Sequence, residues 1–512
     1  MRSLTTRRIL SIALTALALI ALAPAASAEP AVVTTTDGPV RGTVTASNRI
    51  FQGIPFAAPP TGENRWRAPQ PVTPWTSTKD ATKPGSVCLQ RPVFQPGSPP
   101  LGTEDCLFLN VTTPAKPGTR PVLVWIHGGG FIAGSGSDYP AAQLAERGDL
   151  VVVTLNYRLG ALGYLGLPGL DGGGTFGLQD QQAALKWVQR NARAFGGDPR
   201  NVTIAGESAG SLSVCGQLAS PGARGLFHRA ILQSGPCELA WRDSEFYPGV
   251  PAGSNWAPRA TADKDGSALA TSLGCADVAC LRRLPSEKFL DTSIASPAID
   301  TPVLPLNPAT AVARGDVNRV PTMIGINRDE HRTFAAFLPE PLTPKTYADS
   351  LRASYGDKAD RVLAKYPVAA YSSPTTAWAT VTTDALWART AHTITGQLSR
   401  RVPTFGYEFR DRTVPPIIPG LDMGAYHAAE LAYLFPGSLP VQLNQEQQAL
   451  GAQMQRYWAN FARTGQPNGP GLPLWLPATH SVQGLDIAPA GIGRVDQVAD
   501  HKLAFWSEVL DS

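Results

Sequence analysis

The stretch "TIAGESAGSLSVCGQ", Thr203 to Gln217, decides how this chain folds. A short apolar run ends at Ser208, which sits between Gly206 and Gly210, and a helix-like run follows with Leu212, Cys215 and Leu218 on one face. Strand, sharp turn and helix form the context of a nucleophile elbow, where glycines on both sides make room for a serine held in a strained backbone conformation. A bare G-x-S-x-G also arises by chance as a small residue in a tight turn. The strand before Ser208 and the helix after it are what favour the elbow.

Outward from this turn, short and nearly continuous apolar runs recur: "PVLVWI" (121–126), "LVVVTL" (150–155), "VTIA" (202–205), "RAILQ" (229–233) and "PTMIGI" (321–326). Strands apolar on both faces suit a parallel sheet covered by helices. Between two of these runs, Leu178, Leu185, Val188, Ala192 and Phe195 share one helical face, and Gly196, Gly197 and Pro199 end that helix. The alternation predicts an α/β fold with right-handed crossovers. From about 340 to 400 the pattern is helical without strong strands and predicts a helical cap over the sheet edge. The stretches 84–102 and 413–424 read as surface loops.

Function in such sheets gathers at the carboxyl ends of the strands. After "VLVWI" comes "HGGGF", after "VTIA" comes "GESAG", after "AILQ" comes Ser234-Gly235, and after "MIGI" comes "NRDEH". A serine hydroxyl needs a base to take its proton, and attack on an ester carbonyl needs hydrogen-bond donors aimed at the oxyanion that forms. Glycines let backbone N–H groups approach such an oxygen, which selects Gly129 and Gly130, with the Ala209 N–H as third donor. The glycine run carries no GK[ST] ending, so a phosphate loop is disfavoured. A carboxylate and then a histidine must follow the serine. Asp329 and Glu330 both follow a strand, and His228, His331, His392, His427, His480 and His501 all follow Ser208. Spacing alone separates neither set. His427, in "GAYHAAELAYLF", begins a helix-like segment after a proline-rich loop.

Composition narrows the class. The first residues have a charged start (Arg2, Arg7, Arg8), an apolar centre from Ile9 to Leu22 and the small-residue site Ala26-Ser27-Ala28. This is the pattern of a secretory signal peptide over 1–28, with the Sec and Tat routes unresolved, and it leaves 29–512 as one domain of an exported protein. The apolar run is shorter than the roughly 20 residues a bilayer span needs. With three of its 44 basic residues in the leader, the mature chain sets 41 against 40 acidic residues and has no electrostatic footprint for nucleic acid. Six cysteines in an exported chain read as disulfides, and no adjacent histidines complete a zinc site. Cys275 with Cys280 would close a short loop and Cys88 with Cys106 a longer one. Cys215 and Cys237 stay open, as a pair or with Cys215 a buried thiol.

Taken together, "FQGIPFAAPPTGENRWRAPQP", "EDCLFLNV", "WIHGGGF", "NYRLGALGYL", "FGLQDQQAALKWVQRNARAFGGDPRNVTIAGESAG", "AILQSG", "NRDEHRTF", "HAAELAYLF" and "YWANFARTGQPN" resemble the type-B carboxylesterases, from about residue 31 to the end. That resemblance implies an α/β-hydrolase fold with a mostly parallel central sheet. It implies Ser208 as nucleophile, Glu330 as acid and His427 as base, with Ser234 beside Glu330. It also implies the disulfides Cys88–Cys106 and Cys275–Cys280 and the ion pairs Arg65–Glu104 and Arg158–Asp180. There are two departures: His331 stands where the family usually has glycine, and "GGGTFG" lacks the common Gly-Asn before the helix.

The expected chemistry is hydrolysis of a small-molecule carboxylic ester without cofactor or metal, falling off as pH drops through a base pKa of roughly 6–7. The alternatives are a binding or adhesion protein on the same scaffold and a true interfacial lipase. Loops 84–102, 237–256 and 334–345 are expected to line the substrate pockets. No choline-binding aromatic can be assigned.

Overall fold

The computed structural model describes residues 31–92, 97–418, 420–479 and 481–510. The signal-peptide segment 1–28 and His480 lie outside the described residues.

An 11-stranded sheet organises the chain. In chain order its strands are β1 (Thr43–Val44), β2 (Asn48–Pro55), β3 (Phe108–Pro114), β4 (Arg120–Ile126), β5 (Val151–Leu155), β6 (Gly197–Glu207), β7 (Arg229–Gln233), β8 (Thr322–Asn327), β9 (Thr404–Phe409), β10 (Val482–Leu485) and β11 (Gly493–Val495). Their spatial order is β11-β10-β9-β8-β7-β6-β4-β5-β3-β2-β1. The central run from β10 to β5 is parallel throughout, and the flanking pairs are antiparallel.

Burial of both sheet faces explains the continuous apolar runs. Along β4, Val122, Val124 and Ile126 enter one core, while Leu123 and Trp125 enter the other. Helices α1 (Phe176–Asn191) and α2 (Ala209–Ala219) cover the first face through Leu178, Leu185 and Val188 and through Leu212, Cys215 and Leu218. Helix α6 (Gln445–Thr464) covers the second face through Leu450, Met454, Trp458 and Phe461. The predicted stop after α1 is present: a 3₁₀ turn runs over Ala192–Phe195, and Gly196 caps it at φ 82°.

The segment 340–400 is helical, as its pattern predicts. Helices α3 (Pro344–Tyr355), α4 (Pro374–Thr382) and α5 (Arg389–Ser399) belong to it, with a π-helix over Thr383–Ala388 joining the last two. Its own apolar cluster includes Tyr347, Leu351, Trp378 and Val381, together with Trp506 and Val509 of the carboxyl-terminal helix α7 (Leu503–Leu510).

Three disulfides form: Cys88–Cys106, Cys275–Cys280 and Cys215–Cys237. The third closes the question left by the sequence, because Cys215 on α2 faces the loop that leaves β7. Arg65 pairs bidentately with Glu104 at 2.6 and 2.5 Å. Arg158 does the same with buried Asp180 at 2.8 and 2.7 Å. No helix among the described residues is long and apolar enough to cross a membrane.

Candidate active site

Because the central strands are parallel, the loops that follow β4, β6, β7, β8 and β9 emerge on one side. Ser208 follows β6 directly and caps α2, at φ 56° and ψ −125°. Its N–H donates to the Gln233 carbonyl of β7 at 2.9 Å, which helps hold a conformation that serine rarely adopts. Both neighbouring glycines are sterically required. A Cβ on Gly206 would stand 2.5 Å from the Gly210 backbone, and one on Gly210 would stand 2.0 Å from the Ile126 carbonyl.

The glycine loop after β4 crosses this turn. A Cβ on Gly128 would come within 3.1 Å of Ser208 Cβ and 2.8 Å of Glu207 Oε2, so the backbone there lies against the serine. Gly129 and Gly130 are exposed, with φ of 103° and 61°, and Ser208 is partly accessible between them and α2. His127 is structural. Its ring stacks on Tyr157 at 4.3 Å and its Nδ1 donates to the Gly128 carbonyl at 2.8 Å, while burial pulls its pKa down to about 4.

The two candidate acids, adjacent in sequence, have different jobs. Glu330 places Oε2 2.6 Å from His427 Nδ1 and takes the Asn327 N–H on Oε1 at 2.8 Å. Asp329 instead binds Arg412 bidentately at 2.7 and 2.8 Å and accepts the Ala425 N–H at 3.0 Å. It is the post on which the His427 loop docks. A further bond runs from the Asp329 N–H to the Ala425 carbonyl, and the Thr333 hydroxyl donates to the His427 carbonyl. His427 lies in a turn rather than at a helix start, because Ala428 takes φ 73°; the helix begins only at Leu431.

Two carboxylates that the sequence reading did not single out complete the surroundings. Glu207, the residue before Ser208, brings Oε1 to 3.1 Å from His427 Nε2, off the line of a hydrogen bond, so the bonding direction of Nε2 is not taken by Glu207. Glu430 is held by Asn327 at 2.6 Å and Gln233 at 3.1 Å, and Gln233 accepts from Trp458. The signal for both was proximity in sequence, Glu207 inside "GESAG" and Glu430 three residues past His427.

Burial pushes the His427 pKa down, but the Glu207 and Glu330 carboxylates more than reverse this and hold it at about 9. Burial pushes Glu207 up to about 8. At neutral pH Glu207 therefore takes up a proton readily, and each proton it takes weakens its hold on the one at His427.

The remaining predicted residues fall into place or out of it. Ser234 is buried, with its N–H donating to the Gly325 carbonyl, but its hydroxyl forms no hydrogen bond. It makes no hydrogen bond to Glu330, whose Oε1 accepts the Asn327 N–H. His228 accepts from the Val202 N–H, His392 lies on α5, and His501 is buried between Asp384 and Glu408.

The Carboxylesterase family model matches residues 29–506. The chain belongs to the carboxylesterase family. It is 35% identical to the para-nitrobenzyl esterase of Bacillus subtilis over 457 residues, covering 85% of this chain and 90% of that protein. It is 34% identical to the pyrethroid hydrolase Ces2e of Rattus norvegicus over 501 residues, covering 90% and 85%. A solved thermophilic PNB esterase superposes with a TM-score of 0.77 at 31% identity, covering 93% of this chain and 99% of that one. As a carboxylesterase this chain has the α/β-hydrolase fold and is a serine hydrolase of carboxylic esters.

Proposed function

We propose that Ser208, His427 and Glu330 hydrolyse carboxylic esters through an acyl-enzyme, with the Gly129, Gly130 and Ala209 N–H groups receiving the oxyanion. The observation that carries this reading is the 2.6 Å contact between Glu330 and His427 Nδ1, which leaves Nε2 of the same ring beside the elbow. Glu330 accepts from Nδ1–H and so fixes the tautomer whose Nε2 is a base. His427 takes the Ser208 proton during attack on the carbonyl and returns it to the departing alcohol. Water then releases the acyl group by the same steps in reverse order. We further propose that the enzyme is exported, a reading supported by the leader pattern and by the three disulfides.

The test is a panel of p-nitrophenyl esters from acetyl to octanoyl, together with a covalent phosphonate probe. Hydrolysis with labelling at Ser208 is expected. No turnover and no labelling would hand the chain to the binding-protein reading.

The rising limb of kcat/KM against pH is expected above the roughly 6.5 of an ordinary imidazole. Carboxylates stabilise the protonated ring, and only the neutral ring is a base. Because Glu207 is itself held up to about 8, its charge acts on His427 only toward the alkaline end of the limb, and Glu207→Gln is expected to draw that part of the limb to lower pH. A limb that stays put in this variant would show that Glu207 does not act on His427.

A further inference from the structure

His331, the residue after Glu330, has no part in the proton transfers above, yet it is fully buried and every polar atom it presents is engaged. Its N–H donates to Thr383 Oγ1 at 3.0 Å, Nε2 lies 2.9 Å from the Phe246 carbonyl, and Nδ1 lies 3.2 Å from Trp387 Nε1. An indole N–H can only donate and a carbonyl can only accept. Nδ1 must therefore be bare and Nε2 must carry the hydrogen, so one neutral tautomer satisfies both partners at once. Burial also pulls the ring's pKa down to about 3, which keeps it neutral at working pH.

The groups tied together in this way form the apolar wall beside the catalytic base. The rings of Trp387 and Phe334 each lie 5.1 Å from that of His427, and they stack on one another at 5.5 Å. Phe334 also stacks on His331 at 5.2 Å. Leu239, Leu386, Trp241 and Phe246 complete the cluster. Trp387 comes from the π-helix and Phe246 from the loop after β7, so these two pieces of wall have no covalent reason to keep their spacing. His331 bridges them at the rings themselves, beside a second tie in which the Thr382 hydroxyl donates to the Glu245 carbonyl at 3.2 Å.

We propose that His331 sets the size of the acyl group this enzyme accepts, by pinning Trp387 to the Phe246 segment and so fixing the wall beside His427. The proposal rests on the esterase reading. The acyl group, rather than the alcohol, is assigned to this wall because one piece of it, the loop that carries Trp241 and Phe246, is mounted on the nucleophile's own support. A Cβ on Gly235 would stand 2.6 Å from the Ser208 carbonyl, and the loop that leaves Gly235 is tied to α2 by Cys215–Cys237. The group bonded to Ser208 in the covalent intermediate is the acyl group. His331 touches no reacting atom, so it is a positioning residue.

The readout is the ratio of kcat/KM for p-nitrophenyl octanoate to that for p-nitrophenyl acetate, which does not depend on the fraction of enzyme folded. Each methylene in an apolar pocket changes kcat/KM by roughly 10- to 200-fold. His331→Ala frees the indole and vacates space behind it, and the ratio is expected to rise at least about tenfold. His331→Gln, whose amide can donate to Phe246 and accept from Trp387 together, is expected to keep the wild-type ratio. His331→Leu fills the volume without tying anything and is expected to raise the ratio, which keeps the proposal testable should the alanine variant fail to fold. An unchanged ratio in both His331→Ala and His331→Leu overturns the proposal, as does a uniform loss across chain lengths. A shift confined to a series of acetate esters of longer alcohols also overturns it. Wild-type turnover of the acetate ester tests the esterase reading separately, so the two failures are distinguishable.

Discussion

Replacing Ser208 by alanine is expected to lower kcat on p-nitrophenyl acetate by about a million-fold, the loss seen when the nucleophile of a serine, histidine and carboxylate set is removed. Alanine keeps the Cβ, so the backbone at φ 56° carries the same strain and the Gly128 loop meets the same atom. The fold should therefore be retained, with an unchanged circular dichroism spectrum and melting temperature. A residual rate of roughly 10³ to 10⁴ over water should survive, because donors aimed at the oxyanion and substrate positioning remain. Single-turnover measurements with the phosphonate probe would show no labelling. A variant retaining more than about one part in a hundred of the activity, far above that residue, would mean that the nucleophile lies elsewhere.

The second large effect is on stability and lies away from the elbow. His501 places Nδ1 2.6 Å from Asp384 of the π-helix and Nε2 2.9 Å from Glu408 of β9, all three side chains being buried. Both partners are acceptors, so both nitrogens donate and the ring is an imidazolium. Burial pushes its pKa down, but Glu408 and Asp384 more than reverse this, raising it to about 9. The ion joins the carboxyl-terminal segment to the sheet and to the helix that carries Trp387. Removing the ring leaves two buried carboxylates each short of a partner, although Glu408 still reaches Arg328 and Arg410 and Asp384 still reaches Lys502, so His501→Leu should cost about 3 kcal/mol and lower the melting temperature. The pH dependence has a definite sign. A pKa raised on folding gives stability that is complete below about 6.5 and drains away as pH rises through about 9. Wild-type protein should thus melt at progressively lower temperature across that window, and His501→Leu should lose most of that slope. His427 contributes in the same direction in both proteins, so the difference between them isolates His501. Parallel pH profiles would show that the cluster contributes nothing to stability.

Much of this site is legible in the amino-acid sequence, and the reason is locality. An elbow is a property of consecutive residues: the steric need for Gly206 and Gly210, the strained Ser208 and the amphipathic α2 are all contained in fifteen positions. Parallel strands apolar on both faces announce themselves one at a time. The side of the sheet on which function gathers then follows from strand direction alone. The choice of Glu330 over Asp329 rests on resemblance, since nothing in two adjacent carboxylates says which one faces a histidine 97 positions away.

The sequence by itself determined the sheet, the elbow and the glycine loop, because each depends on backbone sterics and side-chain alternation within a short stretch. Only the tertiary structure decided that Asp329 anchors a loop while its neighbour holds His427, that Cys215 meets Cys237, and that Glu207 and Glu430 surround His427. It also decided that His331 is a neutral bridge while His501 is a buried cation. Two imidazoles with the same intrinsic proton affinity take opposite states because one is packed against an indole and a carbonyl and the other against two carboxylates. Charge and hydrogen bonding under burial depend on what distant segments bring into contact, and no local pattern encodes that.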